Sequence, residues 1–441
     1  MGAVGALVAG TVTDKFGRKF PLLVGAAIAT VGCALQTSAQ SLAMMLVGRI
    51  VAGLAIGVLT MSVPLYNTEC SNPKHRGFVV GFTQQMIGFG YLLASWLGYG
   101  TLHCKDTSQI QWRVPIGMQL VPSVLLFVGM FFLPESPRFL VAQEKYEEAH
   151  DLLVRLHYDG TNMDWIEQEF AEIREVISAE KNIKVNQWMA MFCVPQWRRR
   201  MLLATGIQAF GQTTGINVIV YYQTIMYRGL GLSDSNITLI SSCYMFVGPT
   251  ATFISIMLFI DRVGRRRPLI FGTCIIVVCL ACEGIVNSQN LDGDKKGLSG
   301  AGIFFIWFTG AVFSMTYGPM AWTYMTEVMP MQIRGPGVAV ACGIGHWGFN
   351  TMWSQVSPKG LGKIGWKFYF VFVAANIAIT IPCLYFFYPE TKGIPLEEMD
   401  NLFGGPVDYS KWSTDITPVD VEKNANVAVA EVEVEQMEKT S

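Results

Sequence analysis

Charge is what this chain has least of. Lysine, arginine, aspartate and glutamate make up 15% of its 441 residues and nearly cancel, 32 basic against 33 acidic, where an ordinary soluble domain carries about a quarter charged residues. No basic tract interleaves with aromatics, which leaves a nucleic-acid surface without support. No nucleophile with a base, phosphate-cradling loop or metal-ligand cluster can be drawn, so neither an enzyme nor a bound cofactor is expected. The ten cysteines fall mostly inside apolar runs without disulfide or zinc spacing, and the lone CxxC at Cys279 and Cys282 has no second pair. A charged start and a cleavage site are also lacking, since Met1 leads straight into GAVGALVAGTV, so no signal peptide is read there.

What the chain has in their place is oil. Hydrophobic residues make up 51% and aromatics 12%. Apolar runs of about 20 residues, enough to cross a hydrocarbon core of roughly 30 Å, recur along it. The reading is an all-α, multi-pass membrane protein with the lipid bilayer as its surroundings. Eleven segments are expected, near 1–13, 20–38, 42–66, 77–99, 115–133, 201–225, 236–260, 268–287, 300–326, 335–357 and 366–388. Between the fifth and sixth lies a charged stretch with helical apolar spacing at Leu140, Ala149, Leu152, Leu153 and Leu156. The expected organisation is a transmembrane bundle over 1–133, a helical linker over 134–200, a six-span bundle over 201–388 and a tail over 389–441. Acidic and without aromatics at its end, the tail is read as partly disordered.

Lysine and arginine in the short loops orient the spans. The loops holding Lys15, Arg18 and Lys19, Lys74 and Arg76, Arg262 to Arg267, and Arg334 alternate with sparser ones holding Lys105, Lys295, Lys296, Lys359 and Lys363. The richer set, the linker and the tail are then cytoplasmic.

The scarce charges are written twice. DKFGRK at Asp14 returns as DRVGRR at Asp261, YNTECSNPKHRG with Glu69 and Arg76 returns as YMTEVMPMQIRG with Glu327 and Arg334, and PESPR at Pro134 is echoed by PETKG at Pro389. Three motif pairs in the same order describe two homologous halves, a parallel repeat about an axis along the membrane normal. The second half has six spans and the first five, and the alignment of the motifs predicts one more span before Met1, so eleven of a usual twelve are read here.

On these residues the chain resembles the sugar porter family of the major facilitator superfamily. Matching features are Gly17-Arg18 and Gly264-Arg265, Arg49 and Gly53 in GRIVAGLAIG, the PLYNTECSNPKHRG and PESPR motifs, GQTTGINVIVYY, GPMAW and PETKG, covering the chain to about Glu398. The resemblance implies two pseudo-symmetric helical bundles and alternating-access transport of a sugar, with a hexose first, by a facilitator or with a co-transported proton. Pentose, disaccharide, polyol or quinate-like substrates, a transporter-like sensor and an inactive shortened form are the alternatives. The plasma membrane is the expected location.

A sugar presents hydroxyls and an apolar ring face, so its site needs amides that donate and accept, together with aromatic surface. Polar amides inside spans are the candidates, with helix-to-helix hydrogen bonding as the other reading. Gln84 sits where the family places a sugar-binding glutamine, and Gln85 faces about 100° away on a helix. Gln208, Gln212, Asn217 and Tyr221 share the sixth segment, but Asn217 points about 140° from Gln212 at 100° per residue. They converge only if the helix is interrupted, for which Gly211, Gly215 and Thr213-Thr214 supply a break. The resemblance adds Trp322 as a ring-face stacker. His346, Trp347 and Asn350 follow in GHWGFN, with His346 and Asn350 on one face; His346 is either a satisfied hydrogen bonder or a substrate contact. This sequence departs from the family pattern where Gly211 replaces one of two adjacent glutamines, where Pro249 replaces an amide and where His346 replaces an amide.

The resemblance also implies that Asp14, Arg18, Glu69 and Arg76, with their echoes Asp261, Arg265, Glu327 and Arg334, form a charged cytoplasmic latch between the halves. Ordinary interfacial charge is the alternative. Glu283, the one acid well inside an apolar run, is read as structural.

Overall fold

Backbone amides left unpaired in hydrocarbon are costly, so an apolar run of span length becomes helix. The computed structural model describes residues 1–72, 75–102, 104, 109–181, 187–229, 232, 234–290, 295–394 and 399–404. Among these every regular element is helical. Most of the 389–441 tail, Lys74, Lys105 and the side chains of Asp261 and Lys296 lie outside the described residues.

The first half comprises α1 (Gly2–Phe16), α2 (Lys19–Thr37), α3 (Leu42–Cys70), α4 (Arg76–Leu102) and a broken column, α5 (Ile110–Gly117) with α6 (Leu120–Gly129). A charged segment follows as α7 (Pro137–Ala142), α8 (Tyr146–His157), α9 (Met163–Lys181) and α10 (Gln187–Cys193). The second half runs through α11 (Pro195–Thr213), α12 (Ile216–Gly229), α13 (Asp234–Tyr244), α14 (Val247–Leu258), α15 (Ile260–Val263), α16 (Arg266–Gln289), α17 (Lys296–Met315) and α18 (Tyr317–Val328). It closes with α19 (Arg334–Val340), α20 (Phe349–Ile364), α21 (Phe368–Ala375) and α22 (Ile381–Phe386), and a short α23 (Met399–Leu402) follows. Two π-helical stretches, Ala341–Gly348 and Asn376–Thr380, join α19 to α20 and α21 to α22.

By length and composition, eight stretches among the described residues can cross a membrane. The longest, Arg334–Phe386, has 53 residues and as one helix would run about 80 Å. It holds two columns joined at the 3-10 turn Gly365–Lys367. Two further columns fall below that threshold: α1 has 15 residues, and α11–α12 is interrupted at Thr214 and Gly215. The columns keep the order of the eleven expected segments, but several are broken where periodicity alone read continuous helix.

The surface is inverted relative to a soluble protein. Phe132 is 84% and Phe386 75% exposed, while Arg76, Arg200, Arg265 and Arg334 are among the most completely buried side chains. In water the apolar surface would be an aggregation liability; in lipid it is the solvated face.

The halves meet mainly along two seams. Helix α1 packs on α19 and the π-helical stretch after it, and α4 packs on α14 and α18. In the repeat α1 corresponds to α14 and α4 to the column that starts at α19, so the α1–α19 and α4–α14 contacts are equivalent across the pseudo-twofold axis. In the charged segment α8 and α9 share a small core of Ala149, Leu153, Ile166 and Ile173. Leu156, expected on that apolar face, is exposed instead, and His157, the last residue of α8, takes the buried place beside it, 2.9 Å from Glu169 Oε2. The segment is tied to the bundle where His157 Nε2 lies 3.4 Å from Cys70 O, and just after it Arg200 Nε, in α11, donates to Val328 O at 2.6 Å.

Candidate functional site: a cavity between the halves

The helix breaks make the site. Between α11 and α12, Gly215 takes φ +85°, a left-handed conformation that a side chain disfavours, and Thr214 Oγ1 donates back to Gly211 O at 2.7 Å. The turn carries Asn217 round to Gln212: Asn217 Nδ2 donates to Gln212 Oε1 at 2.6 Å, although 140° separates them on a continuous helix. The π-helical Ala341–Gly348 does the same for His346 and Trp347, a distortion that recurs at functional sites. A third break, at Thr316 between α17 and α18, lies just ahead of Gly318 and Pro319.

Between the halves lies a cavity of about 580 Å³. All nine cavity residues singled out on the sequence, Gln84, Gln208, Gln212, Asn217, Tyr221, Trp322, His346, Trp347 and Asn350, line it. The amides form one network. Gln212 Oε1 also lies 3.4 Å from Asn350 Nδ2, which in turn lies 3.3 Å from Asn217 Oδ1 and 3.3 Å from Tyr221 OH. Two N–H groups facing three acceptors at long distance make weak bonds, ones that a ligand hydroxyl can replace at small cost.

His346 sits at the back of this network. Its Nδ1 lies 3.0 Å from Gln212 Nε2 and 3.3 Å from Gln208 Oε1. In the neutral ring that nitrogen satisfies only one of them, accepting from Gln212 or donating to Gln208. The imidazole is flanked by Trp322, with ring centroids 5.0 Å apart, and by Trp347 at 5.4 Å. Both indoles reach across to the first half: Trp322 Nε1 donates to Gln84 Oε1 and Trp347 Nε1 to Thr60 Oγ1, each at 3.1 Å. Gln85 lies off the cavity, as its helical angle requires. Thr60, Tyr91 and Gln119 also line it and were not foreseen, since a single polar residue in an apolar helix leaves no periodic mark.

Below the cavity the halves close on one another around the repeated charges. In the first half Arg18 Nη2 donates to Glu69 Oε1 at 2.9 Å, Ser136 Oγ to Glu69 Oε2 at 2.5 Å, and the Arg18 backbone N–H to Glu135 Oε1 at 2.8 Å. In the second, Arg265 Nη2 donates to Glu327 Oε1 at 2.9 Å, Thr391 Oγ1 to Glu327 Oε2 at 2.7 Å, and the Arg265 backbone N–H to Glu390 Oε1 at 2.7 Å. Gly17 and Gly264 take φ +89° and +93°, and a Cβ at either would come within 2.6 Å of the carboxylate of Glu135 or Glu390. The glutamates of PESPR and PETKG thus clamp the two charged loops at the helix N-termini that follow them. Burial opposes the Arg18 charge, yet Glu69 and Asp14 beside it hold the guanidinium above its ordinary range.

The ion pairs differ from the expected latch in one respect. Arg18–Glu69 and Arg265–Glu327 join residues of the same half, because each charged loop folds back onto the end of its own half's motif helix, α3 or α18. Contact across the halves comes from Arg334 Nη1, 3.8 Å from Glu69 Oε1, and from Thr68 Oγ1, which donates to Thr326 Oγ1 at 2.8 Å. Thr68 and Thr326 are equivalent positions in the repeat, so that bond lies on the pseudo-twofold axis. Asp14 packs against α19, where a Cβ at Gly335 would meet its Oδ1 at 2.3 Å. Arg76 is buried at the start of α4, the position equivalent to Arg334.

The model of the family described as sugar (and other) transporter matches residues 1–403. The chain belongs to this transporter family. It is 36% identical over 403 residues to the MFS-type transporter criB of Aspergillus cristatus, covering 91% of this chain and 82% of that one. It is 30% identical over 425 residues to the high-affinity glucose transporter of Kluyveromyces lactis, covering 91% and 75%. Among solved structures, the proton:xylose symporter XylE bound to 6-bromo-6-deoxy-D-glucose superposes with a TM-score of 0.77 at 23% identity, covering 91% and 86%. The transporter family therefore appears here in the major facilitator fold. XylE from E. coli in its inward-open conformation superposes with a TM-score of 0.64 at 23% identity, covering 91% and 87%.

Proposed function

We propose that the chain carries a monosaccharide, a hexose first, across a membrane by alternating access. The observation that carries this reading is the cavity between the halves, where donor-acceptor amides meet the faces of two tryptophans and where one end is shut by contacts the halves can break. Gln208, Gln212, Asn217 and Asn350 bond the sugar's hydroxyls, Gln84, Tyr221 and His346 position that edge, and Trp322 and Trp347 offer ring surface. Five or six such bonds at about 0.5–1.5 kcal/mol net each, less ordering costs, correspond to millimolar to micromolar affinity, weak enough for release. The glucose transporter of K. lactis, 30% identical, supports the substrate class.

In this reading the division is 1–133, 134–200, 201–388 and 389–441, with the charged end, linker and tail in the cytoplasm and the plasma membrane as the location. The excess of lysine and arginine in those loops supports the orientation. Arg18, Glu69, Arg76, Arg265, Glu327 and Arg334, with Asp14 and Asp261, form the cytoplasmic latch: same-half pairs shape each side, and the Arg334–Glu69 and Thr68–Thr326 contacts hold the sides together. Breaking them lets the cavity open inward.

Uptake of labelled sugars by cells lacking hexose carriers, with and without a protonophore, tests the proposal. Hexose uptake is expected, and protonophore-sensitive uptake would establish symport. No uptake of any hexose, pentose, disaccharide, polyol or quinate-like acid would end the carrier reading.

A further inference from the structure

The walls of the cavity are unlike. One wall, from α11, α12 and the column of α20, carries the amide network. The facing wall is built by Ile56, Ile87, Gly88, Gly90, Met245 and Pro249, from α3, α4, the break between α13 and α14, and the first turn of α14. Polar groups on that side are few: Thr252 Oγ1 donates to Ser314 O at 3.1 Å, Tyr91 interacts with Tyr221, and Gln119 and Gln84, whose Oε1 takes the Trp322 N–H, also line the cavity. Space lies in front of the wall as well, since a Cβ at Gly90 would meet no atom within 4 Å.

A free pyranose carries hydroxyls round its whole rim. With one edge on the amides, those opposite hydroxyls that face Ile87, Met245 and Pro249 lose water without gaining a partner from these residues. The cavity, about 580 Å³, falls within the roughly 300–1,000 Å³ that holds drug-sized ligands. We propose that the substrate is a monosaccharide bearing an apolar substituent, an aryl or alkyl glycoside, whose hydroxyl edge meets the amides and whose apolar group lies on the Ile87–Pro249 wall. This rests on the sugar-carrier reading and narrows its substrate.

The full chain in lipid nanodiscs, free of glycoside detergent, is titrated with methyl β-D-glucopyranoside, phenyl β-D-glucopyranoside and benzyl alcohol, and binding is read from the thermal shift. The phenyl glycoside is expected to bind about tenfold tighter than the methyl glycoside, from the added apolar burial, and benzyl alcohol not measurably. Equal binding of the two glycosides overturns the inference and leaves the sugar reading standing. Binding of neither glycoside, or benzyl alcohol binding as tightly as the phenyl glycoside, overturns both. Pro249→Gln, which sets an amide in the apolar wall, is expected to bring the ratio toward one; an unchanged ratio in the folded variant sinks the placement on that wall.

Discussion

The charged end of the molecule is symmetric and the cavity is not. At the charged end Arg18, Glu69, Glu135 and Ser136 are matched by Arg265, Glu327, Glu390 and Thr391, bond for bond. In the cavity the four amides of the network, Gln208, Gln212, Asn217 and Asn350, all come from the second half, while the first half contributes Gln84 and Thr60 as partners of the tryptophans. Two halves that rock against each other can share one closing device, used once on each side. A ligand without twofold symmetry has no use for a symmetric site, so repetition ends where recognition begins.

That contrast can be broken at several points, beginning with the largest effect. Glu69→Ala and Glu327→Ala each remove the carboxylate from a buried arginine, which costs about 3–5 kcal/mol. Thermal unfolding in nanodiscs should show a loss in that range for each, the larger for Glu69, and no loss for either would argue against the clamps. Only Glu69 has a crossing contact to Arg334 among the ion pairs described. Its loss should therefore also raise the labelling of Cys70, beside it at the end of α3, by an impermeant maleimide.

Gly17→Ala and Gly264→Ala place a Cβ at positive φ against a carboxylate, at about 1–3 kcal/mol each. Matching falls in melting temperature would support the symmetry, and tolerance of either one would contradict the clamp geometry. On the asymmetric side, Gln212→Ala strips the acceptor shared by Asn217 and Asn350. It should lower sugar uptake about tenfold or more, from two or three lost bonds of about 0.5–1.5 kcal/mol. Gln85→Ala, off the cavity, should change uptake less than about twofold; similar losses for both would mean that the network is merely structural.

The smallest effect is expected on the axis. Thr68→Val and Thr326→Val each remove the hydroxyl bond that crosses the halves, worth about 0.5–1.5 kcal/mol, together with a bond to a carbonyl of the same helix, Pro64 O or Thr323 O. The double variant should cost less than the sum of the two single ones, since the two share the crossing bond. Additive increases in Cys70 labelling would show that the hydroxyls act apart.

Particular residues show how far the sequence could be read. The angle between Gln212 and Asn217 demanded a helix break, and the chain turns at Thr214 and Gly215. The same arithmetic set Gln85 apart from Gln84. Less legible was the route of the charged loops: the repeated spacing set Glu69 and Arg76 in one motif without fixing their partners, while contact pairs Glu69 with Arg18 and Arg334. Glu135 and Glu390 stood out only as motif letters, because a carboxylate capping a helix far away in sequence has no local pattern. Thr60, Thr68 and Thr326 were passed over for a similar reason, since each bonds its own helix or another one equally well until the helices are packed.

By itself the sequence determined the solvent, the repeat and the class. Apolar runs of fixed length have one way to satisfy their backbone in lipid, and three motif pairs in order leave little freedom for the topology. Only the tertiary structure decided which charges pair inside a half and which cross, that the amides gather on one wall, and that the facing wall is apolar. Those outcomes depend on how rotated, broken helices pack, and helix rotation is fixed by neighbours distant in the chain.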